Sequence, residues 1–188
     1  MTIVRQGAAA SFPVYALAVA AGGLLCMATP ATAKQAELRV DAQTELRFGS
    51  FAVLDQGYRA VGPNGSVQEL GIYAVTRGDT GPARFTVSYD RGNNGRKQLD
   101  IEIELVFATP APFLDTGLKA QLGQYRTDLP GYASVSPGQV VTLRIPGCRQ
   151  RVCSTTFNVG GRLDVSRSTG GGPVVINIPV DAVLISIR

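Results

Sequence analysis

The chain has 188 residues, with 18 lysines and arginines against 14 aspartates and glutamates, and it contains no histidine. The absence of histidine excludes hydrolases that use a histidine base and metal sites built on imidazole. The basic residues are scattered, whereas strong nucleic-acid binders concentrate them on one face. We therefore expect no nucleic-acid partner, no metal and no cofactor.

The first 33 residues have the three parts of a secretory signal peptide. Arg5 provides a basic start, and a small, apolar stretch follows over residues 8–28. Ala31 and Ala33 then form an A-x-A cleavage site. Cleavage after Ala33 removes Arg5 and leaves 17 basic residues against 14 acidic ones, a net charge of +3.

Two alternatives to a cleaved leader stay open. Pro13 and a Gly-Gly pair interrupt the apolar stretch, which disfavours a retained membrane anchor. Cys26 is compatible with a lipoprotein, although the large Leu25 precedes it. We predict a signal peptide over residues 1–33 and one domain over residues 34–188, without a transmembrane segment after cleavage. The expected location is the periplasm, the outer surface or the medium.

The rest of the chain is dominated by alternating apolar and polar residues, the pattern of strands that bury one face. Glycine- and proline-rich turns separate the runs, and only one short helical turn is expected, at residues 118–122. Asn94-Gly95 predicts a two-residue hairpin. The fold class is therefore all-β, an antiparallel Ig-like β-sandwich of about seven to nine strands. In chain order, the runs cover residues 36–48, 83–89, 99–107, 141–145, 157–165 and 174–187.

The first run is long for one strand of a sandwich. Fully extended, residues 36–48 span about 43 Å at roughly 3.3 Å per residue. The run must bend or change sheets, or its first half projects and pairs elsewhere. An extended strand of this kind can be inserted into the sheet of a neighbouring molecule. The side chains that would enter the neighbour are Ala36, Leu38, Val40 and Ala42.

Cys148 and Cys153 remain as an even pair once the leader is removed. In an exported chain such a pair predicts a disulfide. The loop that it closes is small, so the expected stabilisation is about 2 kcal/mol. Two thiols without histidine do not complete a zinc site.

Two acidic segments could carry chemistry. Asp100, Glu102 and Glu104 share one strand face, and paired carboxylates about 5–10 Å apart perform glycoside hydrolysis. Residues 90–95 resemble the start of a calcium loop, but Gly92 stands where the EF-hand pattern requires Asp or Asn. We interpret the carboxylates as a solvated strand face and residues 90–95 as a hairpin turn, and we expect no enzyme.

A binding role is the second class of function. Arginines near the disulfide could contact an anionic envelope surface, although solvated loop charges are the default interpretation. Exposed tyrosines could stack on sugars of an envelope glycan. The arginines are Arg144, Arg149 and Arg151, and the tyrosines are Tyr58, Tyr73, Tyr125 and Tyr132.

The order of three short segments resembles the DUF4402 family of exported bacterial domains. These segments are residues 46–49 (LRFG), 78–87 (GDTGPARFTV) and 157–165 (FNVGGRLDV), followed by a long terminal strand. The resemblance covers about residues 38–187 and implies an Ig-type sandwich, similar in style to spore coat U and pilin-like surface proteins. It implies no catalytic residues.

Together these features predict a non-enzymatic, exported, surface-associated structural protein, such as a pilus-like subunit that assembles by strand exchange. Its partners would be copies of itself or related surface subunits. The alternative is a self-contained secreted module that binds a glycan or another envelope component. The placement of residues 34–44 discriminates between the two, because a strand packed in its own sandwich favours the self-contained domain.

Overall fold

The computed structural model describes residues 35–75, 78–115, 118–167, 171–176 and 178–188. Within these ranges the chain forms thirteen strands and no helix. The predicted signal peptide lies outside the described residues. Three of the strands have only two or three residues, which partly explains why the count exceeds the expected seven to nine.

All strands pair antiparallel, in one sheet of ten strands and one of three. The small sheet has the order β10-β6-β13, and the other ten strands form the large sheet. The strands are β1 (Glu37–Thr44), β2 (Leu46–Val61), β3 (Val67–Ala74), β4 (Thr80–Gly81), β5 (Ala83–Asp90), β6 (Leu99–Phe107), β7 (Phe113–Asp115), β8 (Leu118–Thr127), β9 (Ser134–Val135), β10 (Val140–Cys148), β11 (Val152–Arg167), β12 (Gly171–Ile176) and β13 (Val180–Ile187).

One hydrophobic core joins the two sheets. The alternating residues of β6, including Ile103, Leu105 and Phe107, are fully buried, as the period-2 pattern predicts. The Phe107 ring meets the Phe157 ring of the large sheet edge to face, with 6.2 Å between centroids. The inner faces of both sheets therefore pack on each other, which confirms the prediction of an all-β antiparallel sandwich.

Strand β11 organises the large sheet. Its first half, up to Val159, pairs with β5, and its second half lies between β2 and β8. Val159 pairs with Ala83 of β5, and two residues later Gly161 pairs with Val61 of β2. β5 and β2 therefore follow one another along the same side of β11, with β8 on the opposite side.

The two longest alternating runs are each divided. The first run breaks at Glu45 into β1 and the start of β2, and β1 forms an edge of the large sheet against β5. The last run divides into β12, which pairs with β2, and β13, which pairs with β6 in the small sheet. The first half of the first run thus lies in its own domain, as expected for a self-contained sandwich.

Two local predictions are wrong. Residues 118–122, expected as a helical turn, belong to β8, because Leu118, Ala120 and Leu122 alternate as buried side chains of a strand paired with β11. Asn94-Gly95 does not close a hairpin, because β5 and β6 belong to different sheets and residues 91–98 form the crossing between them.

Candidate functional site

The predicted strand-exchange segment lies at the edge of the large sheet. Among the described strands β1 pairs with β5 alone, where Leu38 faces Tyr89 and Val40 faces Val87 across the strands. Leu38 and Val40 are half-buried and pack on the core, whereas Ala36 and Ala42 are exposed. Two apolar side chains therefore anchor the segment.

The C-terminal strand β13 lies close to β1, at an edge of the small sheet. Its half-buried side chains, among them Ala182 and Leu184, pack on the same core as Leu38 and Val40. Val183, Ile185 and Ile187 are 58%, 49% and 40% exposed, so the outer face of β13 carries a row of apolar side chains. One flank of the sandwich thus combines a lightly anchored strand with an apolar edge strand.

Cys148 and Cys153 form the predicted disulfide. The bridge connects the end of β10 to the start of β11 and so lies where the chain passes from the small sheet to the large one. Cys148 is buried, and the Arg91 guanidinium donates to its carbonyl oxygen at 3.5 Å. The bridge therefore belongs to the packed structure of this corner.

Two of the three carboxylates on β6, those of Asp100 and Glu102, accept hydrogen bonds from other protein groups. Glu102 accepts hydrogen bonds from Arg144 Nη2 at 3.0 Å and from Ser186 Oγ at 3.3 Å. The Arg144 hydrogen bond is the main cause that lowers the pKa of Glu102. A glycosidase acid needs a raised pKa, so Glu102 does not fit that role. Asp100 accepts a hydrogen bond from the Gly147 amide at 2.7 Å.

The segment that resembles a calcium loop is organised by protein donors. Asp90 Oδ1 accepts hydrogen bonds from the Gly92 amide at 2.9 Å and from Arg151 Nε at 3.2 Å. The buried Arg91 side chain donates to the carbonyl oxygens of Gly95 and Lys97. A guanidinium thus satisfies carbonyl groups of this segment, which is the connection between the two sheets and not the predicted hairpin turn.

The arginines near the disulfide do not form an open cationic surface. Arg144 pairs with Glu102, Arg149 donates to Gln98 Oε1 at 2.9 Å, and Arg151 pairs with Asp90. Each positive group has a partner inside the domain. The default interpretation of these arginines as ordinary surface charges therefore fits the geometry better than an anion-binding patch.

The four tyrosines considered for sugar stacking have different environments. Tyr125 is fully buried and Tyr73 is 61% exposed on β3, while Tyr58 and Tyr132 are half-buried. The Arg162 guanidinium lies 4.0 Å from the centroid of the Tyr58 ring. Tyr125 is therefore unavailable to a ligand, and Tyr58 is already stacked on one face.

Tyr58 and Arg162 belong to an open groove of about 530 Å³ on the outer face of the large sheet. Strands β2, β11 and β8 form its floor. Its lining also includes Gln56, Leu70 and Lys119. The sequence points to Tyr58 but not to the groove. Polar residues alternate along β11, but the residues that lie beside them in the groove come from distant parts of the chain.

A comparison with protein-family models decides the relationship of the chain to known proteins. Residues 38–183 match the model described as "Domain of unknown function (DUF4402)". The chain belongs to the DUF4402 family. The resemblance expected from three short segments is thereby confirmed. No curated protein and no solved structure matches the chain significantly.

The DUF4402 match begins inside β1 and ends inside β13, so both strands of the apolar flank belong to the family domain. The family description assigns no activity. Across the described residues of this DUF4402 domain, no group of three or more acidic or cysteine side chains could hold a metal ion. The same part of the chain has no helix long and apolar enough to cross a membrane.

Proposed function

We propose that this DUF4402 protein is a non-enzymatic, exported structural subunit of the bacterial cell envelope. The packing of β1 against β5 of its own domain by itself favours the self-contained module. In this proposal the same strand is also exchanged with copies of the protein or with related surface subunits, in the manner of a pilus-like assembly. Export is supported by the predicted signal peptide and by the disulfide between Cys148 and Cys153, because disulfides persist in oxidising compartments.

The observation that carries the proposal is the way in which β1 is held. Within the part of the chain that the structure describes, the strand pairs on one side, with β5, and its apolar anchors Leu38 and Val40 are half-buried. Full burial of such a side chain contributes about 1.5–3 kcal/mol, and each of these partly exposed anchors contributes somewhat less than that. An edge strand anchored in this way is released at a lower free-energy cost than a strand inside the sheet.

Exchange conserves the contacts of the closed domain. The β1 strand of a second copy would meet the same partners, with Leu38 against Tyr89 and Val40 against Val87. Swapping an identical element between copies is a low-cost route to association, because the interface is already built in the monomer. The closed monomer and the assembly are then two states of one chain, and protein concentration shifts the balance between them.

The strand β13 supports this proposal with a second surface. β13 lies beside β1 and exposes Val183 and Ile185 on its outer face, and a neighbouring copy that delivers its own β1 would approach this flank. Covering apolar side chains removes them from water and stabilises the assembly. The flank between β1 and β13 therefore supplies both the donor strand and an apolar surface that a neighbouring copy can cover.

Deletion of residues 35–42 tests the proposal. The shortened domain retains the edge of β5 but lacks most of its donor strand, so we expect lower stability and loss of concentration-dependent oligomers in size-exclusion chromatography. A synthetic peptide of residues 35–44 should bind the shortened domain and restore stability, whereas the peptide carrying Leu38→Asp and Val40→Asp should not. A shortened domain as stable and as monomeric as the full one would refute the exchange.

A further inference from the structure

The groove on the outer face of the large sheet is built from side chains at matched register positions. On β2, β11 and β8 the outward residues stand directly opposite one another, so that the floor consists of two cross-strand rows. The first row is Tyr58, Asp164 and Gln121, and the second is Gln56, Ser166 and Lys119. Three hydrogen-bonded strands fix the backbone positions of these six residues.

Arg162 adds a guanidinium, ion-paired with Asp164, to one end of the groove. Its Nε donates to Asp164 Oδ1 at 2.9 Å, and its guanidinium stacks on Tyr58. A guanidinium has five N–H donors, so donors remain beyond those that face Asp164. Leu70, which pairs with Tyr58 across β2 and β3, is 65% exposed and adds an apolar wall.

We infer that this groove binds an acidic oligosaccharide, a sugar chain that carries carboxylate groups. Sugar hydroxyl groups both donate and accept hydrogen bonds, which suits the amides of Gln56 and Gln121 and the carboxylate of Asp164. The carboxylate of the sugar meets the Lys119 ammonium and accepts hydrogen bonds from the Arg162 donors that do not face Asp164. The apolar face of a sugar ring packs on Leu70.

The volume and the rigidity of the groove fit this ligand class. A volume of about 530 Å³ lies in the range of small-molecule sites. The floor lies on strands rather than loops, so its backbone loses little conformational freedom on binding. The groove contains none of the residues of β1 or β13. A failure of sugar binding would therefore not refute strand exchange, and a failure of strand exchange would not refute sugar binding.

The test uses isothermal titration calorimetry with oligogalacturonate, with neutral malto-oligosaccharide and with inorganic polyphosphate, all in 150 mM salt. We expect oligogalacturonate to bind at least tenfold more tightly than either of the other probes. Lys119→Gln and Gln121→Ala should each weaken its binding at least fivefold. Both side chains are exposed, so neither change threatens the fold.

Lys97→Gln is the matched control, because it removes the same charge from an exposed lysine outside the groove. It should leave oligogalacturonate binding unchanged. Absence of binding at millimolar oligogalacturonate would overturn the inference. Equal losses in Lys97→Gln and Lys119→Gln, or polyphosphate binding as tight as oligogalacturonate binding, would also overturn it, because either result indicates general charge attraction.

Discussion

Gly160 of β11 lies against the carbonyl oxygen of Val61, the last residue of β2, so closely that a Cβ atom at position 160 would overlap it. The contact occurs where β11 changes its partner from β5 to β2. A side chain here would push the two strands apart. The glycine therefore permits the strand order on which the large sheet depends.

We predict that Gly160→Ala lowers the free energy of unfolding by about 1–3 kcal/mol, the usual cost of overpacking. Urea denaturation followed by circular dichroism measures this change. Gly78→Ala is the control, because the space around Gly78 is open, and its effect should stay within about 0.5 kcal/mol. Equal stability of the Gly160 variant and the parent would show that the strands adjust freely.

Reduction of the disulfide should destabilise the domain by about 2 kcal/mol, because the bridge closes a loop with a sequence separation of only five residues. The measurement is urea denaturation with and without a thiol reductant. The double variant Cys148→Ala with Cys153→Ala should be insensitive to the reductant. A reductant effect of the same size in that variant would assign the loss to something other than the bridge.

Tyr125 should stabilise the domain through its buried hydroxyl group. The hydroxyl donates to the Ala108 carbonyl oxygen, and burial raises the pKa of Tyr125 to about 12. Tyr125→Phe leaves that carbonyl without its partner and should cost about 1–2 kcal/mol at pH 7. Tyr73→Phe, at an exposed position, should have no measurable effect in the same urea titration.

The raised pKa of Tyr125 also predicts a dependence on alkaline pH. The group favours its protonated form in the folded state, so its contribution is complete below pH 10 and is lost as the pH rises from about 10 to about 12. Stability measured over this interval should fall more steeply in the parent than in Tyr125→Phe. Parallel curves would contradict the burial of this hydroxyl.

Glu102 should titrate below its ordinary range because the Arg144 hydrogen bond, followed by that of Ser186, lowers its pKa. The ion pair therefore stabilises the fold above the ordinary pKa, and this contribution is lost as the pH falls through the lowered value. In Arg144→Gln, carbon-13 NMR should show the pKa of Glu102 returning toward its ordinary value. Arg149→Gln, which removes an arginine that donates to Gln98, should leave it unchanged.

Local alternation was sufficient to predict much of the core. Phe85 and Val87, and likewise Ile101 and Ile103, are buried as their period-2 spacing predicts. The cysteine pair was predictable for the same local reason, since its two members lie five residues apart. Such features depend on neighbours in the sequence and not on which strands become neighbours in space.

Strand pairing was not predictable in this way. Asn94-Gly95 has the local chemistry of a hairpin, but β5 finds its partners in β1 and β11, and β6 finds its own in β10 and β13. The groove was missed for a related reason. Gln56, Lys119 and Ser166 meet only through the registers of β2 and β8 on β11, and register depends on the whole sheet.

In the proposed assembly, β1 of one copy occupies the edge of β5 in another copy. Arg39 and Ser88 stand opposite each other across these strands, so the variant Arg39→Cys with Ser88→Cys can be crosslinked by oxidation. Thr142→Cys with Glu104→Cys is the matched control, because β10 and β6 pair within one copy. Both variants are oxidised at increasing protein concentration and separated by non-reducing electrophoresis.

Strand exchange predicts a ladder of dimers and larger species for the β1–β5 pair, which increases with protein concentration and collapses to monomer on reduction. The β10–β6 pair should give monomer alone at every concentration. Complete oxidation of the β1–β5 pair with only the monomer band, up to the highest concentration reached, would contradict strand exchange and identify the protein as a self-contained domain.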